Sequence, residues 1–181
     1  MSGYTGRRMS WAGWLSGAWL ALAALVLGGG QAFGQAPASF GVETGQRAPA
    51  FTATTATGAA ATLDSLKGRQ GLVLVFVRSA DWCPFCRKQL EELNGIAAAL
   101  EARGYALAAL SYDPVETLAK FSKARKIGYT LLSDPNSAAI DAFGVRNTTV
   151  SGRFAGIPHP VIYVIGADGV VRAKLFEQSY R

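Results

Sequence analysis

The sequence predicts an α/β domain built on a β-sheet of mixed direction, and three observations carry that prediction. Residues 72–77, Leu-Val-Leu-Val-Phe-Val, form a continuous apolar run rich in β-branched residues, the pattern of a central strand buried on both faces. From Cys83 onward, Leu90, Leu93, Ile96, Ala97 and Leu100 recur at helical spacing with Glu91, Glu92 and Glu101 between them, until Gly104 stops the helix. Near the end, apolar runs at 161–165 and 170–176 flank Ala167-Asp168-Gly169, whose Asp-Gly pair marks a hairpin.

The remaining elements fall into place around these three. Residues 51–55 and 59–63 flank Thr57-Gly58 and predict a hairpin of short, weakly apolar strands, an N-terminal extension of the sheet. Asp64-Ser65-Leu66-Lys67-Gly68 reads as a turn. Beyond the long helix, residues 105–110 predict another strand. Asp113-Pro114 then opens a helix that buries Leu118, Phe121 and Ile127 and turns Lys120, Lys123, Arg125 and Lys126 to solvent. Thr130-Leu131-Leu132 leads into Ser133-Asp134-Pro135, a turn or helix start, and a short helix ends near Phe143-Gly144. Helices on the faces of a mixed sheet are the expected result.

Of 181 residues, 50% are apolar and 17% charged, yet Arg7 and Arg8 are the only charges among the first 38. Residues 11–27 are uncharged and mostly apolar, and run into Gly28-Gly29-Gly30 and then small residues up to Ala38. This is the layout of an export signal, with small residues placed for cleavage after Gly34 or Ala38. The same run is long enough for an uncleaved membrane anchor, which stays as the rival. Residues 1–38 are therefore expected to be the leader and 39–181 a single domain, periplasmic or secreted, where a thiol pair can persist as a disulfide. Two cysteines and one histidine cannot complete a four-ligand zinc site. The net charge of +6 comes with no lysine/arginine block interleaved with aromatics, so nucleic acid is not an expected partner.

Chemistry concentrates at Asp81-Trp82-Cys83-Pro84-Phe85-Cys86-Arg87-Lys88. Strand, loop and helix place Cys83 at a helix N-terminus, and residues i and i+3 share a helix face, so Cys83 and Cys86 can close a small disulfide ring. The unpaired N–H groups and positive dipole end there favour a thiolate at Cys83, with Arg87 and Lys88 adding to the field. Pro84 suits the first helical position because it lacks an N–H that would go unpaired. A thiolate that is also a good leaving group is what thiol–disulfide exchange requires.

On these residues the chain resembles the thioredoxin superfamily, and within it the redoxin branch that includes the alkyl hydroperoxide reductase/thiol-specific antioxidant (peroxiredoxin-like) proteins and the exported cytochrome-maturation thioredoxins. The resemblance covers about residues 45 to 177. It rests further on Ala48-Pro49-Ala50-Phe51, Leu131-Leu132-Ser133-Asp134-Pro135, Phe143-Gly144-Val145, and residues 160–165 followed by Asp168-Gly169. It implies a thioredoxin-like fold in which Cys83 is the exposed nucleophile and Cys86 resolves the mixed disulfide. It also implies that Pro160 is cis, with Pro158 the weaker candidate, and that the His159 backbone lies beside Cys83 to hold an extended substrate.

Three departures accompany the resemblance. Val77 stands where thioredoxins carry a buried carboxylate, six residues before the first cysteine. Peroxiredoxins place Pro seven and Thr or Ser three residues before the peroxidatic cysteine. Counting back from Cys86 gives Ser79 and Cys83, and from Cys83 gives Phe76 and Ala80. The chain also stops at Arg181, just after its last strand, so the family's final helix is expected to be missing.

The leading expectation is an exported thiol–disulfide oxidoreductase exchanging disulfides with partner proteins, without a dissociable cofactor and with a membrane electron donor as a candidate partner. The alternative is a peroxiredoxin-like thiol peroxidase with antioxidant activity, acting on peroxide through the same cysteines. Third comes copper delivery by Cys83, Cys86 and His159, the lone histidine. Trp82, Pro84, Phe85, His159 and Pro160 are the candidate substrate-binding residues. Arg78 is either a loop charge or a group that binds a carboxylate or polarises a peroxide.

Overall fold

The computed structural model describes residues 40–176. The expectations about residues 1–38, and about a helix following the last strand, lie outside the described residues. Among the described residues, no helix is long and apolar enough to cross a membrane.

The described chain runs β1 (Thr52–Thr55), β2 (Ala60–Thr62), α1 (Leu63–Leu66), β3 (Gly71–Phe76), α2 (Pro84–Ala102), β4 (Tyr105–Ser111), α3 (Val115–Arg125), β5 (Thr130–Ser133), α4 (Ala138–Ala142), β6 (Val161–Gly166) and β7 (Val171–Phe176). A single 3-10 turn, Gly152–Phe154, interrupts the connection from α4 to β6. The strands form one sheet in the order β2-β1-β5-β4-β3-β6-β7. The β3–β4 and β4–β5 pairs are parallel, joined by α2 and α3. The other pairs are antiparallel, which gives the mixed sheet that the sequence implies.

Alternation along the strands divides the interior into two layers, one on each face of the sheet. Leu72, Leu74, Phe76, Ala108, Leu110 and Leu132 point to one face and pack with Ile140 and Phe143. Val73, Val75, Val77, Leu107, Ala109 and Leu131 point to the other, where Leu90 and Leu93 of α2 and Leu118 and Phe121 of α3 cover them. All six residues of β3 are buried, as its unbroken apolar run requires. Phe143 sits in an aromatic cluster, with ring centroids 5.0 Å from Phe76, 5.3 Å from Tyr163 and 5.9 Å from Phe51.

One element differs from the sequence reading. Residues 63–66 make one turn of helix, taking in Leu63, which the reading assigns to the strand, because Thr62 and Ser65 cap it reciprocally. The Ser65 N–H donates to Thr62 Oγ1 at 3.2 Å and the Thr62 N–H to Ser65 Oγ at 2.8 Å. The usual Glu or Gln of such a box is replaced by serine, which hides the pattern. The β1–β2 hairpin extends the sheet as expected, with β1 pairing to β5 through Thr54–Ser133 and Thr55–Leu132.

The C-terminal ends of β3, β4 and β5 and the N-terminal end of β6 lie at one edge of the sheet, where Phe76 is opposite Val161. The loops leaving that edge carry Ser79 to Trp82, Tyr112-Asp113 and Asp134. This is the edge at which open α/β sheets place their ligands.

Candidate active site

Cys83 is the N-cap of α2 and Pro84 occupies its first turn, as the sequence predicts. Cys83 and Cys86 are disulfide-bonded, with Cα atoms 5.3 Å apart. The Cys86 N–H donates to Cys83 Sγ at 3.2 Å, and the Arg87 N–H donates to the Cys83 carbonyl at 3.0 Å. With proline contributing no donor, Cys83 Sγ takes the capping role that a serine or aspartate oxygen would otherwise fill. A thiolate formed there on reduction meets an N–H donor and the positive end of a 19-residue helix.

The resemblance implies an exposed Cys83, but its residue is only 1% exposed and Cys86 2%. Both sulfurs belong to the core layer beneath α2, with Ala80, Val77 and Leu90. Trp82 is half-buried against that layer. Its indole N–H donates to the Tyr112 hydroxyl at 2.9 Å, and its ring meets Phe154 edge-on with centroids 4.7 Å apart. The Tyr112 hydroxyl in turn donates to the Arg153 carbonyl at 3.0 Å. Phe85, between the cysteines, is 62% exposed, and Pro84 is exposed beside it. Arg78 is half-buried at the start of the loop that leads to Cys83.

The expected substrate-holding backbone at His159-Pro160 takes a different form. Pro160 follows a trans peptide bond, as do all described residues. The His159 N–H already donates to the Val145 carbonyl at 2.7 Å, and Arg146 bridges Pro158. The segment before β6 is thus paired with the chain leaving α4, which occupies the donor that an extended substrate would need. The His159 ring packs 5.2 Å from Phe40, and burial lowers its pKa. Among the described residues, no grouping of histidine, cysteine, aspartate and glutamate could hold a metal ion, so the Cys83, Cys86 and His159 copper set is not assembled.

Asp113 is the site residue that sequence reasoning missed, having been read only as a helix opener. It is 4% exposed, and its carboxylate accepts from the Ser79 hydroxyl at 2.8 Å, the Ala80 N–H at 2.7 Å and the Ser111 hydroxyl at 2.8 Å. Burial raises its pKa, working against these hydrogen bonds, with Asp81 adding repulsion. Ser79 Oγ accepts the Asp81 and Trp82 N–H groups at 2.9 and 3.3 Å, so the loop before Cys83 hangs on one buried carboxylate. A cleft of about 360 Å³ opens beside this loop between α2 and α3, lined in part by Ala80, Arg87, Lys120 and Phe121.

Comparison with known proteins identifies the family and the fold. The sequence pattern of the AhpC/TSA family matches residues 44–174. The chain is 28% identical over 134 residues to the peroxiredoxin bcp sequence of Coxiella burnetii, covering 73% of this chain and 87% of that protein. It is 30% identical over 131 residues to the chloroplastic peroxiredoxin Q of Oryza sativa subsp. japonica, covering 72% of this chain and 58% of that protein. Against some other plant relatives it spans about half of their length, 49%. Among solved structures, peroxidoxin BcpB from Mycobacterium tuberculosis superposes with a TM-score of 0.69 at 26% identity, covering 76% of this chain and 88% of that one.

Proposed function

The chain belongs to the AhpC/TSA family, and from that premise we propose that it is a thiol peroxidase in which Cys83 reduces a peroxide and Cys86 resolves the product. This reverses the order of the sequence expectations, where protein disulfide exchange comes first. The observation that carries the reading is burial. With Cys83 1% and Cys86 2% exposed, the sulfurs lie where a small peroxide enters more readily than the sulfur of a folded partner. Similarity to proteins named as peroxiredoxins, over most of the Coxiella protein's length, supports peroxide as the oxidant.

The chemistry balances on this chain's own residues. The Cys83 thiolate attacks one peroxide oxygen, the O–O bond breaks, and the departing alkoxide or hydroxide takes a proton. Cys83 is left as a sulfenic acid. The Cys86 thiol then displaces water from that sulfur and forms the disulfide seen here. Two thiol equivalents from an external reductant restore the pair. The Cys86 N–H and the α2 dipole hold the Cys83 thiolate before attack, and the half-buried Trp82 limits water around it.

A second reading, disulfide exchange with protein thiols, is favoured by the exposure of Phe85 between the two cysteines, an apolar contact for a docking partner. Export to the periplasm is part of either proposal and rests on the composition of residues 1–38. The experiment that separates the two follows oxidation of the reduced domain by hydrogen peroxide through Trp82 fluorescence, with Cys83→Ser as control. Oxidation far faster than that of a free thiol, and lost in Cys83→Ser, supports the peroxidase. A rate no better than a free thiol leaves disulfide exchange as the function.

A further inference from the structure

We propose that Asp113 is a positioning residue for Cys83, acting through Ser79 to hold the loop that presents the thiol. Five hydrogen bonds converge on these two side chains, four of them from the loop. Asp113 takes the Ser79 hydroxyl on Oδ1 and the Ala80 N–H on Oδ2, while Ser79 Oγ takes the Asp81 and Trp82 N–H groups. The fifth runs from the Ser111 hydroxyl to Oδ2 and touches no residue of the loop. Behind it, Ser133 Oγ donates to the Asp113 carbonyl at 2.6 Å, tying the arrangement to β5.

The arrangement fills a gap in the sequence. Neither cysteine is preceded by the Pro and Thr/Ser spacing of peroxiredoxins, and Val77 stands in place of the thioredoxin carboxylate. The buried acid is supplied instead from the loop that follows the adjacent parallel strand β4, 34 residues downstream of Ser79. Because Ala80, Asp81 and Trp82 lead directly into the N-cap, their three N–H bonds set where Cys83 Sγ lies relative to the Cys86 N–H. Displacement of a reacting group by about 1 Å can cost on the order of a hundredfold in rate.

The inference rests on Cys83 as the attacking thiol, and its test needs no peroxide. In a Cys86→Ser background, the second-order rate of Cys83 alkylation by iodoacetamide is measured and corrected for thiolate content by absorbance. Ser79→Ala and Ser111→Ala each delete one hydroxyl from the Asp113 carboxylate, but only Ser79 touches the loop. The expected result is a slowing of about tenfold in Ser79→Ala and in Asp113→Asn. The double variant should be no slower than either single, and Ser79→Thr, which keeps the hydroxyl, should restore the rate. Ser111→Ala should melt at lower temperature yet alkylate within about twofold of the parent. Equal slowing in Ser79→Ala and Ser111→Ala, additive losses in the double variant, or unchanged rates throughout would overturn the proposal. Failure of peroxide oxidation alongside the expected alkylation pattern would remove the peroxidase reading and leave Asp113 in this role.

Discussion

Trp82 and Tyr112 are joined by an indole-to-hydroxyl hydrogen bond of 2.9 Å, and through it the residue next to Cys83 is clipped to the Gly152–Phe154 turn. The turn contributes the Arg153 carbonyl to Tyr112 and the Phe154 ring to Trp82, while the Arg153 guanidinium lies 4.7 Å from the Phe154 centroid. Gly152 and Gly156, both at positive φ, bracket this segment. It closes over Trp82 without a backbone ladder of its own.

Releasing that clip should open the disulfide to reductant. In Tyr112→Phe the indole N–H and the Arg153 carbonyl lose their shared partner, and in Phe154→Ala the ring contact disappears. Each should cost about 1 kcal/mol of stability. Each should also speed reduction of the Cys83–Cys86 disulfide by dithiothreitol several-fold, because reduction needs access that the 1% exposure of Cys83 denies. Stopped-flow Trp82 fluorescence reads the rate. Slower or unchanged reduction would mean that the turn does not limit access.

Asp134 should make the native state less stable as pH rises. Burial raises its pKa above 3.8 despite N–H bonds from Ala138 and Ile140, with Asp141 adding repulsion and Arg146 nearby. The folded state therefore binds the proton more tightly than the unfolded chain. Its stabilisation is complete below 3.8 and is lost as pH climbs through the raised folded value. Asp64, Asp141 and Asp168 are shifted downward and work in the opposite sense, so the comparison must isolate one residue. The stability of wild type relative to Asp134→Asn, from urea unfolding between pH 3 and 7, should be greatest at the acid end and decline upward. A difference that grows with pH would show the opposite shift.

Phe143→Ala should cost about 3–5 kcal/mol, the range for deleting a buried aromatic ring. Phe143 is 1% exposed and touches Phe51, Phe76 and Tyr163, so the void cannot be filled by one neighbour. Val145 and the chain pairing with His159 follow directly after it, and the loss should also loosen residues 146–158. Urea unfolding measures the first effect and amide exchange at Asn147 and His159 the second. A cost below 1 kcal/mol would place Phe143 outside the cooperative core.

These sites differ in how plainly the sequence announces them. Cys83, Pro84 and Cys86 are legible because their chemistry and helix-start signals lie within one turn, where spacing alone fixes geometry. The strand β3 is legible because burial on both faces leaves an unbroken apolar run. Asp113 is not, since its partner Ser79 is distant in sequence and meets it only once β3 and β4 pair in parallel. An Asp-Pro at a strand end carries the ordinary signal of a helix start, which masks a second use of the carboxylate. His159-Pro160 is misread for a similar reason. The bond from His159 to Val145 depends on how the chain leaves α4, and no local pattern encodes that meeting.

Cys86→Ser should separate the two steps of the proposed cycle. The substitution removes the resolving thiol but keeps the residue-86 N–H that donates to Cys83 Sγ, so the attacking thiolate retains its cap. One equivalent of hydrogen peroxide should then oxidise Cys83 as fast as in wild type and stop at the sulfenic acid, which dimedone captures as an adduct visible by mass spectrometry. Wild type under the same conditions should give the intramolecular disulfide and no adduct. If Cys86→Ser instead resists peroxide yet accumulates mixed disulfides when given an oxidised partner protein, Cys83 is reacting with sulfur rather than oxygen. Trapping chemistry thus distinguishes a peroxidase from a disulfide exchanger even though both end at the same Cys83–Cys86 bond.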